Sequence, residues 1–281
     1  MSVGPGTPPR RIGLIAGGGI LPRLFAEEAK RRGLEVVAVC HRGETDPALV
    51  DAVSAASWVR VGQLNGIVRA LKASGVDRAV MAGGIGLVKA LTQARPDLGA
   101  LKVAARLRSF RDDALLRGVA RYIEDAGIQI VAPTDFLTRL LAPQGHIAGP
   151  PPSSAQLADV AVGLEVATLL GQADVGQTVV VRERLVMALE AVDGTDETVR
   201  RGGRLGGPGA AVVKLSKPGQ DPRFDLPAIG SGTIAVMEEA GARMLAVEAG
   251  RSLLLDVEAL SAAAERAGIC VEGVSRGQKV G

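Results

Sequence analysis

The first forty residues contain a strand, turn, helix and strand pattern that constrains the fold more than any other stretch. Residues 11–16 (RIGLIA) are a short apolar run that leads directly into three consecutive glycines at 17–19. Apolar residues at helical spacing continue as far as Gly33, and residues 34–40 (LEVVAVC) are a second apolar run. Parallel strands joined through a helix build the sheets of nucleotide-binding domains. The pattern therefore predicts an α/β fold with a Rossmann-like parallel sheet at the N-terminus.

A second glycine turn repeats the first one further along the chain. Gly83 and Gly84 follow the strand predicted over residues 77–81. Ligands of open α/β sheets bind outside the carboxyl ends of the strands, and glycine lets the backbone approach them closely. We therefore expect the two turns to share one binding site. The alternative is a pair of tight connections that bind no ligand.

The first glycine turn differs from the fingerprint of a dinucleotide dehydrogenase. Its sequence, AGGGILP, lacks the six-residue glycine spacing. The end of the second predicted strand carries Cys40, His41 and Arg42, where a dehydrogenase needs an acid for the adenine ribose. A Rossmann-type oxidoreductase is therefore the weaker alternative.

The composition changes in the middle of the chain. Residues 144–154 (QGHIAGPPPSS) include three consecutive prolines, a composition typical of a semi-rigid extended linker. We interpret this stretch as the boundary between a Rossmann-like N-terminal domain, residues 1–146, and an α/β catalytic domain, residues 147–281. Ser153 or Ser154 is expected to cap the first helix of the second domain.

Charged residues gather between positions 190 and 230. They are Glu190, Asp193, Asp196, Glu197, Lys214, Lys217, Asp221, Arg223 and Asp225. Pro218, Pro222 and Pro227 disfavour a helix in the second half of this stretch. In an extended segment Asp221, Arg223 and Asp225 would share one face while Phe224 anchors the other. Carboxylates suit a hard metal ion such as Mg²⁺, and basic side chains neutralise phosphate charge. The alternative is a solvated loop with scattered charges.

Histidine and cysteine offer little support for other catalytic classes. The chain has two histidines, His41 and His146, and neither has a second ligand at metal-binding spacing, so zinc chemistry and a Ser-His-Asp triad are not expected. Cys40 and Cys270 lie in apolar runs, which indicates buried free thiols.

The overall composition bounds the partners and the compartment. A formal charge of +3 and 2% aromatic residues give no support for nucleic-acid binding. The sequence shows neither a secretory signal core nor a continuous apolar run of about 20 residues, the length that spans a bilayer. We expect a cytoplasmic protein.

Five motifs together resemble one known family. They are LIAGGGILP at 14–22, SFRDDALLRGV at 109–119, APTDFL at 132–137, EAVDGTD at 190–196 and KLSKPGQDPRFDLPAIG at 214–230. With these motifs the chain resembles the UDP-2,3-diacylglucosamine pyrophosphatases of lipid A biosynthesis, a family unrelated to the calcineurin-like metallophosphoesterases that catalyse the same reaction. The similarity extends over nearly the whole chain.

The resemblance implies magnesium-dependent hydrolysis of UDP-2,3-diacylglucosamine to UMP and 2,3-diacylglucosamine 1-phosphate. It also implies water attack at the sugar-side phosphorus, a substrate enclosed between two domains, and Asp225 as an essential residue. A groove for two acyl chains is expected in the second domain, with peripheral association at the inner membrane, and a homodimer is left open. A nucleotide-sugar binding or sensing protein without turnover is the alternative.

On this resemblance we assign candidate roles to individual residues. The catalytic candidates are Asp225, Asp221 and Arg223, and the metal-ligand candidates are Asp225, Asp193, Asp196 and Glu190. The candidates for substrate binding lie in the glycine turns, after a third strand and in the second domain: Gly17, Gly18, Gly19, Ile20, Gly83, Gly84, Thr134, Asp135, Thr195, Lys214 and Thr233.

Overall fold

The computed structural model describes residues 10–85, 96–106, 112–219, 221–224 and 226–276. The chain divides into two compact units. Unit 1 comprises residues 1–138 and 221–225, and unit 2 comprises residues 139–220 and 226–281. A short segment of the charged loop therefore belongs to the first unit, although the chain on both sides of it belongs to the second.

Unit 1 is built on a five-stranded parallel sheet. Its strands are β1 (Arg11–Ala16), β2 (Glu35–His41), β3 (Ala55–Val59), β4 (Arg78–Ala82) and β5 (Gln129–Val131). The order is β3-β2-β1-β4-β5, and every neighbouring pair is parallel. The direction of winding reverses between β1 and β4, which makes this the switch point of a doubly wound sheet. The predicted Rossmann-like sheet is confirmed.

Helices cover the sheet of unit 1 on both faces. They are α1 (Leu21–Arg31), α2 (Leu64–Ala73), α3 (Leu98–Arg106) and α4 (Asp112–Glu124), and short 3₁₀ segments lie at Pro47–Ala52 and Pro133–Asp135. Alternation along β1 explains the two cores, because Ile15 packs with Leu71 and Ile123 on one face while Leu14 packs with Phe25 on the other. Both faces of the sheet are therefore buried, as parallel sheets require.

Unit 2 has a mixed six-stranded sheet. Its strands are β6 (Gly145–Ala148), β7 (Thr178–Arg182), β8 (Leu185–Leu189), β9 (Ala211–Lys214), β11 (Met244–Glu248) and β13 (Cys270–Val274), and a separate pair joins β10 (Ala228–Ile229) to β12 (Leu253–Leu254). The order is β6-β13-β11-β9-β7-β8. β9, β11 and β13 are parallel to one another, whereas β6 and the β7–β8 hairpin run antiparallel to their neighbours. The second α/β fold is also confirmed.

Four helices cover the sheet of unit 2. They are α5 (Ser154–Gln172), α6 (Gly194–Gly206), α7 (Ser231–Glu239) and α8 (Val257–Ala267). α5 packs on one face through Val160 and Leu164, and the other three pack on the opposite face. The predicted cap of α5 is confirmed, because the Ser153 hydroxyl accepts from the Gln156 amide at 3.3 Å.

α5 is also long and apolar enough to cross a membrane. It is the one such helix in the part of the chain that the structure describes, and by length and composition alone this is weak support for a span. Its buried residues pack against the strands of unit 2, which is how a core helix of a globular domain behaves.

The predicted linker is wrong. Residues 145–148, inside the stretch assigned to a linker, form β6 and pair with β13. Gln144 and residues 149–153, which include the three prolines, lie outside any strand or helix, and α5 begins at Ser154. A four-residue edge strand carries too short a pattern to be seen in the sequence, because its pairing depends on a partner more than a hundred residues away.

Candidate functional site

The two glycine turns of unit 1 are in direct contact at the switch point. The amide of Gly17 donates to the Ala82 carbonyl at 2.8 Å, and that of Gly18 donates to the Gly84 carbonyl at 2.7 Å. A Cβ on Gly17 would lie 2.5 Å from the Gly84 oxygen. Gly83 has a φ of +84°, and a Cβ there would collide with the Gly18 oxygen. Glycine is therefore required at these positions by the packing of one turn against the other.

Other parts of the same turns are open. A Cβ on Gly19 or on Gly84 would meet no atom within 4 Å. Ile20, the N-cap of α1, is 47% exposed and supplies no side-chain acceptor for the first amides of the helix. The backbone from Gly19 to the start of α1 thus leaves room for a ligand, and helix N-termini attract anionic groups.

The carbonyl end of β1 is fixed by buried polar groups from the end of β2. His41 donates through Nδ1 to the Ala16 carbonyl at 2.9 Å, and the Thr45 hydroxyl donates to the same oxygen at 2.6 Å. Burial lowers the pKa of His41, although the hydrogen bond to Ala16 opposes that effect. A neutral, buried His41 therefore positions the first glycine turn.

Thr134 and Asp135 lie in the 3₁₀ segment after β5, the strand next to β4 in the sheet. Asp135 is exposed, and its carbonyl accepts from Arg32 Nη1 at 2.8 Å. Arg32 also stacks over Phe136, 5.7 Å from the ring centre. The structure thus places these two candidates at the same edge of the sheet as the glycine turns.

Asp221 and Arg223 form an ion-pair network within unit 1. Arg223 donates from Nη2 to Asp221 Oδ2 at 2.7 Å and from Nη1 to Glu124 Oε1 at 2.8 Å. The hydrogen bond from Arg223 lowers the pKa of Asp221. Asp221 therefore holds the guanidinium of Arg223 in a fixed orientation. Asp225, the leading catalytic candidate, lies outside the described residues.

The expected extended geometry of this segment is wrong. Residues 222–224 form a turn, in which the Phe224 amide donates to the Asp221 carbonyl at 3.1 Å. The guanidinium of Arg223 lies 4.8 Å from the centre of the Phe224 ring, so the two side chains do not occupy opposite faces. Aspartate followed by proline favours a turn of this kind. Phe224 nevertheless packs against the core of unit 1.

In unit 2, Glu190 is buried among hydrogen-bond donors. It is 8% exposed and accepts from the Thr195 hydroxyl at 3.1 Å and from the Gln177 amide at 3.3 Å. The Thr178 hydroxyl lies 3.4 Å from that of Thr195. A carboxylate and two hydroxyls therefore meet where β7, β8 and the start of α6 converge.

Lys214 belongs to the same region of unit 2. It is the last residue of β9, is 8% exposed and is the register partner of Thr178. Directly opposed residues on antiparallel strands project on the same face. The structure thus brings the candidates Glu190, Thr195 and Lys214 to one end of the sheet.

Asp193 and Asp196 have surroundings that differ from those of Glu190. Asp193 accepts from Arg201 Nη2 at 2.8 Å and from the Ala191 amide at 3.0 Å, and the arginine lowers its pKa. Asp196 is exposed in the first turn of α6, where an acid interacts favourably with the helix dipole. Within the described ranges, the candidate acids do not form a group of three potential metal ligands. Because Asp225 lies outside those ranges, the ligand set stays a prediction.

Thr233 has a local partner at the start of α7. Its hydroxyl accepts from the Gly230 amide at 3.5 Å. The side chain therefore contributes to the helix terminus, and its role in substrate binding stays a prediction.

Two polar clusters of unit 2 have no signal in the local sequence. Glu248, 5% exposed, accepts from the Ser216 amide at 2.9 Å and from Arg276 Nη2 at 2.9 Å. His146 lies 3.0 Å from Glu272, a residue 126 positions away. Both clusters form through strand pairing, so spacing in the sequence does not reveal them.

The fold and the site define a class, a two-unit α/β protein with a glycine-lined switch point in a Rossmann-like sheet. Comparison with known families is more specific. The LpxI N-terminal domain matches residues 11–140, and the LpxI C-terminal domain matches residues 143–272. A relative from Caulobacter vibrioides, named UDP-2,3-diacylglucosamine pyrophosphatase LpxI, is 36% identical over 283 residues, which cover 94% of this chain and 98% of the relative. The chain belongs to the LpxI family.

Two solved structures show a distant similarity to this chain. The biotin carboxylase domain of a thermophilic 2-oxoglutarate carboxylase is 14% identical, over 61% of this chain and 34% of that one, with a TM-score of 0.27. Glycinamide-RNase-transformylase T from Mycobacterium tuberculosis is 15% identical, over 65% of this chain and 44% of that one, also with a TM-score of 0.27. Neither structure therefore indicates a function for this chain.

Proposed function

We propose that this chain hydrolyses the pyrophosphate bond of UDP-2,3-diacylglucosamine and releases UMP and 2,3-diacylglucosamine 1-phosphate. The observation that carries the proposal is the 36% identity, over 94% of the chain, to a relative named for this activity. A nucleotide-sugar binding protein without turnover is the second candidate, because a glycine-lined switch point alone fits binding as well as hydrolysis.

In unit 1, the open part of the glycine turns is the proposed contact with the substrate. The backbone amides of Gly17 and Gly18 already donate hydrogen bonds within the turns. We therefore assign the contact with the substrate to Gly19, Ile20 and Gly84. The free space around a Cβ at Gly19 and Gly84 supports this assignment. Backbone groups placed there would recognise the nucleotide part of the substrate without a bulky side chain intervening.

In unit 2, Lys214 is the proposed phosphate contact. It is 8% exposed, so little water screens its charge, and a cation in such surroundings offsets phosphoryl charge more effectively than one in bulk solvent. Thr195, which donates to the buried Glu190 at 3.1 Å, lies on the neighbouring helix α6. We assign Thr195 and Lys214 to substrate binding together.

Magnesium is the proposed cofactor, held by Asp225 with Asp193, Asp196 and Glu190. Carboxylate oxygens are the ligands that Mg²⁺ prefers. The carboxylate of Asp193 is already held by Arg201, so an ion there would have to share or displace this partner. When bound, magnesium would polarise a phosphoryl oxygen.

The remaining catalytic assignments concern the turn of unit 1. Asp221 fixes the guanidinium of Arg223 through bonds of 2.7 and 3.0 Å, which supports a positioning role for Asp221 and a charge-stabilising role for Arg223. Asp225, in the same short segment, is proposed to orient the attacking water. The attack is proposed at the sugar-side phosphorus, so that the water oxygen enters the sugar phosphate.

Exposed apolar side chains of unit 2 support a peripheral membrane location. Leu185 on β8 is 64% exposed, Val192 before α6 is 98% exposed and Leu205 on α6 is 66% exposed. Exposed apolar side chains that lie together bind lipid or another protein. We propose that the chain works in the cytoplasm at the inner membrane face and binds the acyl chains through unit 2. The alternative occupant of this surface is a second copy in a homodimer, which sedimentation with and without vesicles would distinguish.

The activity is tested by measuring UMP release from UDP-2,3-diacylglucosamine with Mg²⁺, with EDTA and in two variants. Asp225→Ala should abolish release while substrate still binds. The matched control is Asp125→Ala, because Asp125 is an exposed acid beyond the end of α4, and it should keep full activity. Binding without any release by the wild-type chain would contradict the proposal and favour the nucleotide-sugar binding protein.

A further inference from the structure

Three potential metal ligands of unit 2 lie together at the edge strand β6. His146 of β6 is the register partner of Glu272 in β13, next to an irregularity in the pairing. Cys270 lies two positions before Glu272 on β13, so both side chains project on the same face. One ligand atom from each of the three residues lies within 4.8 Å of the other two. Across the described ranges this is the one group of three such residues.

The imidazole of His146 is oriented by its second nitrogen. Nε2 lies 3.0 Å from the carbonyl oxygen of Gly149 and therefore carries a hydrogen. Gly149 is itself fixed, because its amide donates to Glu265 at 3.2 Å and a Cβ on it would collide with the Ile269 carbonyl. A backbone carbonyl that holds one imidazole nitrogen and leaves the other directed at a cation is the usual outer shell of metal-binding histidines.

The other ring nitrogen of His146, Nδ1, faces a carboxylate. Nδ1 lies 3.0 Å from Glu272 Oε1 and 4.0 Å from Cys270 Sγ. With Nε2 as the donor, a neutral ring would place a lone pair of Nδ1 against carboxylate oxygen, which is repulsive. Either a second ring proton or a cation shared by Nδ1 and the carboxylate removes that repulsion. A shared cation also uses the adjacent sulfur.

We propose that His146, Cys270 and Glu272 bind one zinc-like divalent cation. Imidazole nitrogen, thiolate and carboxylate are the ligand types that Zn²⁺ takes, with water in the fourth position. Tetrahedral bonds of about 2.0–2.3 Å separate ligand atoms by roughly 3.3–3.6 Å. The distances of 3.0 and 4.0 Å lie on either side of this range, so small shifts would suffice. The thiol proton of Cys270 passes to solvent on binding.

The position of the site at the edge strand β6 determines how a cation reaches it and what its binding would stabilise. The side chain of His146 is 45% exposed, that of Glu272 is 13% exposed and Cys270 is buried, so the cation enters from the histidine side and water completes its shell there. The bound ion would link β6 to β13. We therefore expect zinc to raise the melting temperature of the chain. The site is independent of the proposed pyrophosphatase activity and should persist in Asp225→Ala.

Cobalt(II) provides the test, because thiolate coordination gives it a charge-transfer absorption that carboxylates alone do not. Metal-free, full-length protein is titrated with Co²⁺ and then with Zn²⁺ as a competitor. One equivalent of Co²⁺ should develop the thiolate band, and Zn²⁺ should abolish it. The matched control is Cys40→Ser, since Cys40 is the other buried free thiol. It should bind as the wild type does.

Three variants locate the site. Cys270→Ser should abolish the thiolate band, and His146→Gln and Glu272→Gln should weaken zinc binding at least tenfold by isothermal calorimetry. Glu272→Gln keeps the shape of an edge residue, so it remains informative if Cys270→Ser fails to fold by circular dichroism. No thiolate band in the wild type, or full zinc affinity in Glu272→Gln, would overturn the proposal and leave a protonated His146–Glu272 ion pair.

Discussion

The contact between the two glycine turns makes a graded prediction for three alanine variants. Gly17, Gly19 and Gly84 all belong to the proposed substrate-binding turns, but a Cβ at each meets a different environment. At Gly17 it would lie 2.5 Å from the Gly84 oxygen and 2.7 Å from the Gly83 oxygen, both of the backbone. At Gly19 it meets nothing within 4 Å, but φ is +83°. At Gly84 it meets nothing within 4 Å, and φ lies outside the left-handed range.

The free energies of unfolding should follow that order. A clash with backbone costs about 1–3 kcal/mol. Losing the hydrogen bond from Gly18 to Gly84 adds about 1 kcal/mol, so Gly17→Ala should destabilise unit 1 by about 2–4 kcal/mol. Gly19→Ala carries only the left-handed penalty of about 1–2 kcal/mol. Gly84→Ala should remain within about 0.5 kcal/mol of the wild type.

Urea denaturation followed by tryptophan fluorescence measures the free energy of unfolding of unit 1. Trp58 is the single tryptophan of the chain and lies on β3, so its emission reports on unit 1. Gly84→Ala, which is expected to fold normally, should still raise KM for UDP-2,3-diacylglucosamine, since its methyl group would occupy the proposed substrate space. Equal stabilities of Gly17→Ala and Gly84→Ala would refute the turn-to-turn contact, and an unchanged KM in Gly84→Ala would remove the turn from the binding site.

Three further predictions concern buried polar groups. Burial lowers the pKa of His41 below its ordinary 6.5. As the pH falls below 6.5, His41 is therefore protonated in the unfolded chain before it is protonated in the folded chain. Unit 1 should lose stability by up to about 1.4 kcal/mol per pH unit there, and His41→Gln should flatten that slope in Trp58-monitored urea titrations. Arg276→Met should destabilise unit 2 by about 3 kcal/mol in calorimetry, because it leaves Glu248, 5% exposed, without its cation, whereas Arg276→Lys should restore part of the loss. Lys214→Met should lower kcat/KM about a hundredfold or more at unchanged folding.

Each of these predictions has a contradicting result. An unchanged acid slope in His41→Gln would mean that another group controls it. Arg276→Met with wild-type melting would show that Glu248 is not held by Arg276 in solution. The control for that variant is Arg266→Met, because Arg266 is exposed at the end of α8. Full activity of Lys214→Met would remove the lysine from the phosphate site.

Local patterns predicted most of the architecture. The strand at residues 11–16 and the helix at residues 257–267 have strong periodicity and clear ends, and both are observed over the expected residues. The pairing of the glycine turns also followed from the sequence, because strand ends of a parallel sheet meet at one edge. These features depend on residues close together in the chain.

Features that depend on distant partners were missed or misassigned. The sequence predicts a linker over residues 144–154, because the four residues of β6 become a strand only beside β13. The turn at residues 222–224 is a different case, because the local aspartate–proline pair favours it and the predicted extended geometry is wrong. His146 and Cys270 are 124 positions apart, so the sequence shows no link between them, and only the β6–β13 pairing brings them together. A pattern of neighbouring residues cannot predict a contact between positions so far apart in the chain.

The most direct test of the proposed hydrolysis is product analysis in ¹⁸O-labelled water. Purified protein is incubated with UDP-2,3-diacylglucosamine and Mg²⁺, and both products are examined by mass spectrometry. We predict UMP without label and 2,3-diacylglucosamine 1-phosphate with one ¹⁸O, because in the proposed mechanism water attacks the sugar-side phosphorus. Label in UMP would contradict the site of attack, and the absence of both products would contradict the pyrophosphatase itself.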